Sequence, residues 1–482
     1  MSPFNRFFKQ SLNAHSWLGL CAGAFMYLIC LSGTLAVYYE ELERWEQPKA
    51  SEYLSYDIDT VDQAFNKLLG SGTTEITPHM YVTFPTQSNP RVGLITESEG
   101  WFIDQDGDLS SETAHPWTNL LTSLHDTLHL PKTIGVIVVS VFGAILLALI
   151  VSGIASHRAL FKDAFKLRLF GNKQLEQTDI HNRLSVWGAP FYSMIAITGA
   201  FFGLAMIVVT LYAALYQNNN IKEVTQLVFG KEPELNQPIE RIELAKAMKQ
   251  MPMLAPNSKP IVAIIHEAGT PQQFIEIFSQ YPERLIYSEN VVFKANGEFL
   301  HRKGFSDGAV GKQIVVSMYR LHFGHFGGWW TKVIYFLLGL ALTVISVSGV
   351  NIWLAKRKYK DAINHCWVGF VWGTPIALVL PALSRFTIDV THNAIFWFSL
   401  LCCCVYSTVV KDERMAKQHL LLIWLLSSAG LVLSYFAKHG SSSLSSLYIT
   451  INLLLLITPG VLFAINLRRL SRLNGTLVHQ TL

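Results

Sequence analysis

The chain has 482 residues, of which 50% are hydrophobic and 15% charged, with a formal net charge of +4. With a mean hydropathy of +0.30, this excludes an ordinary soluble enzyme, whose charged share is about 25%, and describes a multi-pass membrane protein. The small positive balance calls for no nucleic acid; the partner it implies is the lipid bilayer.

Apolar runs long enough to cross about 30 Å of hydrocarbon fall at 14–39, 133–156, 184–214, 331–355, 365–383, 393–410, 418–437 and 447–467. The first is too long, and its small-residue cleavage signal too unclear, for a removed signal peptide, so it reads as a retained helix. The chain divides accordingly. A first transmembrane helix (1–39) precedes an exported segment (40–132), and helices 2 and 3 with a basic loop (133–216) precede a second exported segment (217–330). Helix 4 (331–360) and a four-helix extension (361–482) complete it. Basic residues gather at Arg6 and Lys9, at Arg158, Lys162, Lys166, Arg168, Lys173 and Arg183, at Lys356–Lys360, and at Arg468, Arg469 and Arg472. With an even number of spans these share one side, which the positive-inside rule makes cytoplasmic. Both termini are then expected inside a bacterial inner membrane, with 40–132 and 217–330 in the periplasm.

Each exported segment predicts a small α+β domain. Helical stretches are expected at Val61–Leu69 and Ile239–Met251, and strands at Met80–Phe84, Pro260–Ile265 and Gln273–Phe278. Hairpins are expected over Trp101–Leu109 and over Val291–Phe299, the latter with an Asn-Gly turn. Asp104, Asp106 and Asp108 read as a solvated turn, because a calcium loop needs a later glutamate and Glu112 comes too soon. Six cysteines lie in or beside apolar segments and none in the exported ones, so no disulfide framework is expected; the Cys402–Cys404 run reads as small hydrophobes.

The first four spans form a parallel repeat. His15 to Gly33 and His181 to Gly199 have the same spacing, Ser152-Gly153 matches Ser348-Gly349, and Gly143 matches Gly339. Histidines recur with it. His15 and His181 open spans one and three, His125 and His129 precede span two, and His322 and His325 precede span four. An ionisable group beside a bilayer is costly and marks a functional candidate, and imidazole is a common axial ligand of haem iron. His15 and His181 can meet near the inner face. At the outer face, ungapped counting from Gly153 and Gly349 pairs His129 with His325, whereas a one-residue gap pairs His125 with His322. His157 is a spare inner candidate, and the remaining histidines, including His79, His266 and His301, read as surface or interfacial.

These motifs together resemble the PepSY-associated transmembrane family: His-x-Trp-Leu-Gly at 15–19, Ser-Gly-Thr at 32–34, Leu-His-x-x-Leu-His-Leu-Pro at 124–131, Asp-Ile-His-Asn at 179–182 and Leu-His-Phe-Gly-x-Phe-Gly-Gly at 321–328. The resemblance covers about residues 10–360. Some members are inner-membrane reductases that strip iron from ferric siderophores with two b haems in a four-helix bundle. It implies an inner haem on His15 and His181 and an outer one on His125 and His322, with His129 and His325 as second-choice ligands or haem neighbours. It does not explain the four spans of the tail.

The expected function is a di-haem electron carrier, a haem-dependent oxidoreductase reducing a ferric chelate outside. No Gly-x-Gly-x-x-Gly fingerprint in a strand–helix setting appears, so a cytoplasmic or quinol donor is required. The alternatives are a non-enzymatic membrane protein that binds peptides or regulates a peptidase, and a transporter.

Overall fold

The computed structural model describes residues 3–72, 74–156, 162, 165, 167–168, 172–390 and 392–480; His157, Arg158 and Lys166 lie outside the described residues. The helices are α1 (Pro3–Ala36), α2 (Tyr39–Glu46), α3 (Ile58–Gly70), α4 (Pro116–Asp126), α5 (Lys132–Ala155), α6 (Lys173–Tyr216), α7 (Ile221–Phe229) and α8 (Leu244–Met248). They continue as α9 (Met251–Leu254), α10 (Val310–Phe323), α11 (Gly328–Lys356), α12 (Ala362–Thr387), α13 (Asn393–Val410), α14 (Glu413–His439) and α15 (Ser446–Gln480). Among the described residues eight helices are long and apolar enough to cross a membrane, one for each expected span, the first ending at Ala36 rather than at 39 and the second at Ala155. Helices α1 and α6 begin about ten residues before their apolar runs, because a helix satisfies its backbone bonds in the headgroup region as well as in hydrocarbon.

Two compact units make up the chain: residues 1–49, 115–193 and 336–482, and residues 50–114 and 194–335. In the first, Tyr27, Leu28 and Ile29 of α1, Leu120, Leu121 and Leu124 of α4, Val371 and Leu378 of α12, and Phe396 of α13 share one buried cluster. The tail is bonded into it. Tyr27 donates to the Val371 carbonyl (2.8 Å) and Trp117 Nε1 to that of Leu378 (2.9 Å). Trp45 stacks on Tyr435 at 4.8 Å and meets Trp117 edge-on at 5.5 Å. Glu46 caps α4 by accepting the N–H groups of Trp117 (3.0 Å) and Thr118 (2.8 Å) and the Thr118 hydroxyl (2.8 Å). Such a carboxylate answers donors that a helix start leaves unmet. Burial still pushes its pKa upward, against those bonds and the charge of Arg385.

In the second unit the strands are β1 (His79–Thr83), β2 (Val92–Ile95), β3 (Gly100–Ile103), β4 (Leu109–Glu112), β5 (Lys259–His266), β6 (Phe274–Gln280), β7 (Glu289–Lys294) and β8 (Phe299–Arg302). They form a single sheet in the order β4-β3-β2-β1-β5-β6-β7-β8. The two exported segments were expected as two separate domains; their strands instead join through the antiparallel pair β1–β5, Met80 opposite Ile265 and Val82 opposite Ala263. Each half alone would leave an edge of unpaired N–H and C=O groups, and the junction pairs them. Met80, Val82, Ala263, Ile265, Ile275, Ile277, Val291 and Phe293 pack on Val61, Phe65 and Leu68 of α3 and on Leu244, Met248 and Met251.

Both expected hairpins form, with Gly107 and Gly297 at positive φ (85° and 75°) in their turns. Asp104 Oδ1 accepts the N–H of Asp106 (3.1 Å) and Asp108 (3.0 Å), which is turn chemistry. β2 escapes pattern reading because Val-Gly-Leu-Ile is short and glycine-broken. The helix expected at 239–251 starts only at Leu244 and restarts at Met251. The Glu243 N–H goes instead to the Ala295 carbonyl (2.8 Å), and Pro252 in the first turn of α9 cannot continue a helix ladder from before it.

Candidate functional site

Four helices present a glycine with a hydroxyl residue beside it, and against each such pair lies one histidine of the repeat. On α5, the Leu149 carbonyl (3.0 Å) and Ser152 Oγ (3.3 Å) hold His15 Nδ1. On α11, the Ile345 carbonyl and Ser348 Oγ, both at 3.1 Å, hold His181 Nδ1. On α1, the Ile29 carbonyl accepts from His125 Nδ1 (2.9 Å). On α6, Thr198 Oγ1 meets His322 Nδ1 (2.9 Å).

These contacts fix the tautomers. A carbonyl oxygen can only accept, so Nδ1 carries the proton in His15, His181 and His125. Thr198 gives its single proton to the Met194 carbonyl (2.8 Å), so it accepts from His322 as well. The basic lone pair therefore resides on Nε2 in all four rings. An Nδ1–H held by a carbonyl is the usual support of a metal-binding imidazole, which it orients and makes more basic. Burial also lowers the His125 pKa, outweighing the raising effect of the Ile29 carbonyl, and so favours the neutral, ligating form.

The glycines make room for the rings. A Cβ at Gly153 would lie 3.1 Å from His15 Cε1, one at Gly349 3.3 Å from His181 Cε1, and one at Gly199 3.2 Å from His322 Cε1. One at Gly33 would lie 2.6 Å from His125 Nδ1. Gly33→Ala should therefore displace the His125 ring. We expect it to destabilise the helix packing by about 1–3 kcal/mol, the usual cost of overpacking, measured by thermal unfolding in detergent; an unchanged melting temperature would show that the ring has space to yield.

His15 and His181 face each other with ring centroids 6.2 Å apart and planes at 81°. Two metal–imidazole bonds of about 2 Å, plus about 1.1 Å from each nitrogen to its ring centre, require roughly 6 Å. A spacing of 6.2 Å would let His15 and His181 hold one iron between them. Trp17 and Trp187, shortly after these histidines, are exposed, as aromatics at a membrane interface are.

The second-choice histidines are held differently. His129 uses both ring nitrogens, Nε2 donating to the Leu120 carbonyl (2.8 Å) and Nδ1 accepting from Trp397 Nε1 (3.1 Å). His325 packs its ring near Phe323 (5.6 Å) and Tyr319 (6.1 Å). His125 and His322 instead meet Gly33 and Gly199, equivalent points of the repeat, as the one-residue gap requires. Sequence reading marked those glycines and Ser152 and Ser348 as repeat signatures. It missed that they are the surfaces against which the rings lie.

The family model described as the PepSY-associated TM region matches residues 12–356, which include all four histidines and their glycines. A Pseudomonas aeruginosa protein described as uncharacterized is 24% identical over 254 residues, covering 50% of this chain and 64% of the relative's own length. With more than two thirds of its length matched by that model, the chain belongs to the PepSY-associated transmembrane family.

Proposed function

We propose that this protein is a di-haem electron carrier of the bacterial inner membrane that reduces a ferric chelate of the siderophore class at the periplasmic side. The observation that carries the reading is the common state of four repeat-related imidazoles: Nδ1–H bonded to a neighbouring helix, Nε2 basic, the ring against a glycine. His15 and His181 are the proposed axial pair of one b haem. His125 and His322 are the proposed pair of the other, on the strength of their equivalence in the repeat.

When bound, b haems would carry single electrons between the two levels and on to ferric iron, whose reduction weakens the grip of hard-oxygen chelators. The chain's part is to set the levels. Ile29 and Gly33, which hold His125, lie 14 and 18 residues beyond His15 on the same helix, about 21 and 27 Å along its axis. That nearly spans the hydrocarbon. The basic loops support cytoplasmic termini, so electrons would enter near His15 and His181 from a cytoplasmic or quinol donor.

The test is an absorption spectrum of the detergent-purified chain, oxidised and dithionite-reduced, with a haemochrome assay. Two b haems per chain with six-coordinate reduced bands are expected. A colourless folded protein from haem-replete cells would overturn the reading and favour a peptide-binding regulator.

A further inference from the structure

Arg320 is 3% exposed and lies two residues before His322 on α10. All its guanidinium hydrogen bonds run to main-chain carbonyls: His325 (2.7 Å from Nη2 and 3.1 Å from Nε), Tyr281 (3.0 Å), Ile286 (3.3 Å) and Arg284. Among the described residues no carboxylate pairs with it. An arginine keeps its proton under such burial, so a full positive charge stands within a turn of His322. The carbonyl dipoles solvate this charge without cancelling it.

The corresponding position elsewhere in the repeat is different each time. Ser123 stands two residues before His125 and Asn13 two before His15, both uncharged. Asp179 stands two before His181 and is 4% exposed. Its carboxylate is answered bidentately by Arg168, Nη2 to Oδ1 at 2.7 Å and Nε to Oδ2 at 2.8 Å. Asp179 beside His181 is thus answered by a cation, whereas Arg320 beside His322 is met by carbonyls alone; the acidic neighbour of the other proposed outer ligand is Asp126, next to His125.

We propose that Arg320 is a tuning residue that places the His322 haem above the His15–His181 haem in reduction potential, so that electrons run outward. This rests on the haem reading. Reduction removes one positive charge from the iron, and a nearby fixed cation in a medium of low dielectric favours that less positive state.

A redox titration of the purified full chain, followed at the reduced haem band, tests this. The component absent from His125→Ala identifies the outer haem. The wild type should show two components, the outer one higher. In Arg320→Gln the outer component should fall toward the inner one, which stays in place, whereas Arg320→Lys should keep the wild-type value. A loaded Arg320→Gln with unmoved midpoints, or an Arg320→Lys that falls as far as the glutamine variant, would overturn the proposal alone. If Arg320→Gln does not load the outer haem, the lysine variant decides. Loaded at the wild-type midpoint it supports the charge; empty, it shows that pinning of the 281–286 loop is the role, and the proposal fails. A colourless wild type would overturn the haem reading, and the proposal with it.

Discussion

On the proposed di-haem reading, replacing His181 with alanine should leave one haem per chain and slow reduction of a ferric chelate by more than about 100-fold, since even partners of metal ligands cost about 10- to 100-fold when removed. The ring is held by the Ile345 carbonyl and Ser348 (3.1 Å each), with its centroid 6.2 Å from that of His15, so the substitution removes the proposed ligand from that pair. Ser348→Ala should be mild, because the Ile345 carbonyl still holds the tautomer. His181→Met should recover part of the bound haem, thioether being a workable axial ligand. Haemochrome stoichiometry and stopped-flow reduction of a ferric chelate would measure all three. Two haems and wild-type turnover in the alanine variant would remove His181 from the site.

Replacing Glu276 with alanine should destabilise the sheet unit by about 3–5 kcal/mol, the cost of leaving a buried charge without its partner. Glu276 is 2% exposed on β6. Lys303 Nζ lies 2.6 Å from it, Asn290 Nδ2 2.7 Å and His266 Nε2 3.2 Å. Burial alone would raise this carboxyl, yet His266, Lys303 and Asn290 pull it down to about 2. A carboxylate ordinarily near 4.3 and lowered on folding stabilises the folded state above its unfolded value. That stability should be lost as the pH falls from about 4 to about 2. The alanine variant should lose this part of the acid dependence, and Glu276→Ala with Lys303→Met should recover much of the stability. Hydrogen exchange of the sheet amides across this pH range would decide; equal protection in wild type and variant would refute the assignment.

The parts of the molecule that a sequence displays are those governed by length and period. Eight spans follow from apolar length, and both hairpins follow from Asp-Gln-Asp-Gly and Asn-Gly turns between alternating strands. The histidines stand out because a repeat presents them in equivalent places. What stays hidden depends on partners distant along the chain. Ser152-Gly153 can be seen to match Ser348-Gly349, but only packing shows that each pair receives an imidazole. Arg320 looks ordinary in sequence, since its partners are carbonyls, which carry no residue identity. His266 reads as a surface residue, yet its ring stacks on Phe274 at 4.3 Å and is 12% exposed at the side chain. The tail offered no motif; that it packs on α4 emerges from Trp117 donating to the Leu378 carbonyl and from Phe396 sharing a buried cluster with Leu120, Leu121 and Leu124.

The β1–β5 junction also sets an order of assembly. β1 lies between the first and second candidate spans and β5 between the third and fourth, so the ribosome delivers them with two spans in between. Until the second arrives, β1 keeps an open edge, the kind of surface that invites mispairing with other chains. Pairing so remote in sequence forms late, because a long loop must close before any contact rewards it. The finished sheet therefore acts as a receipt that both halves have reached the same side of the two spans between them. A chain truncated after the second span should leave β1 unpaired and more sensitive to added protease than in the full chain.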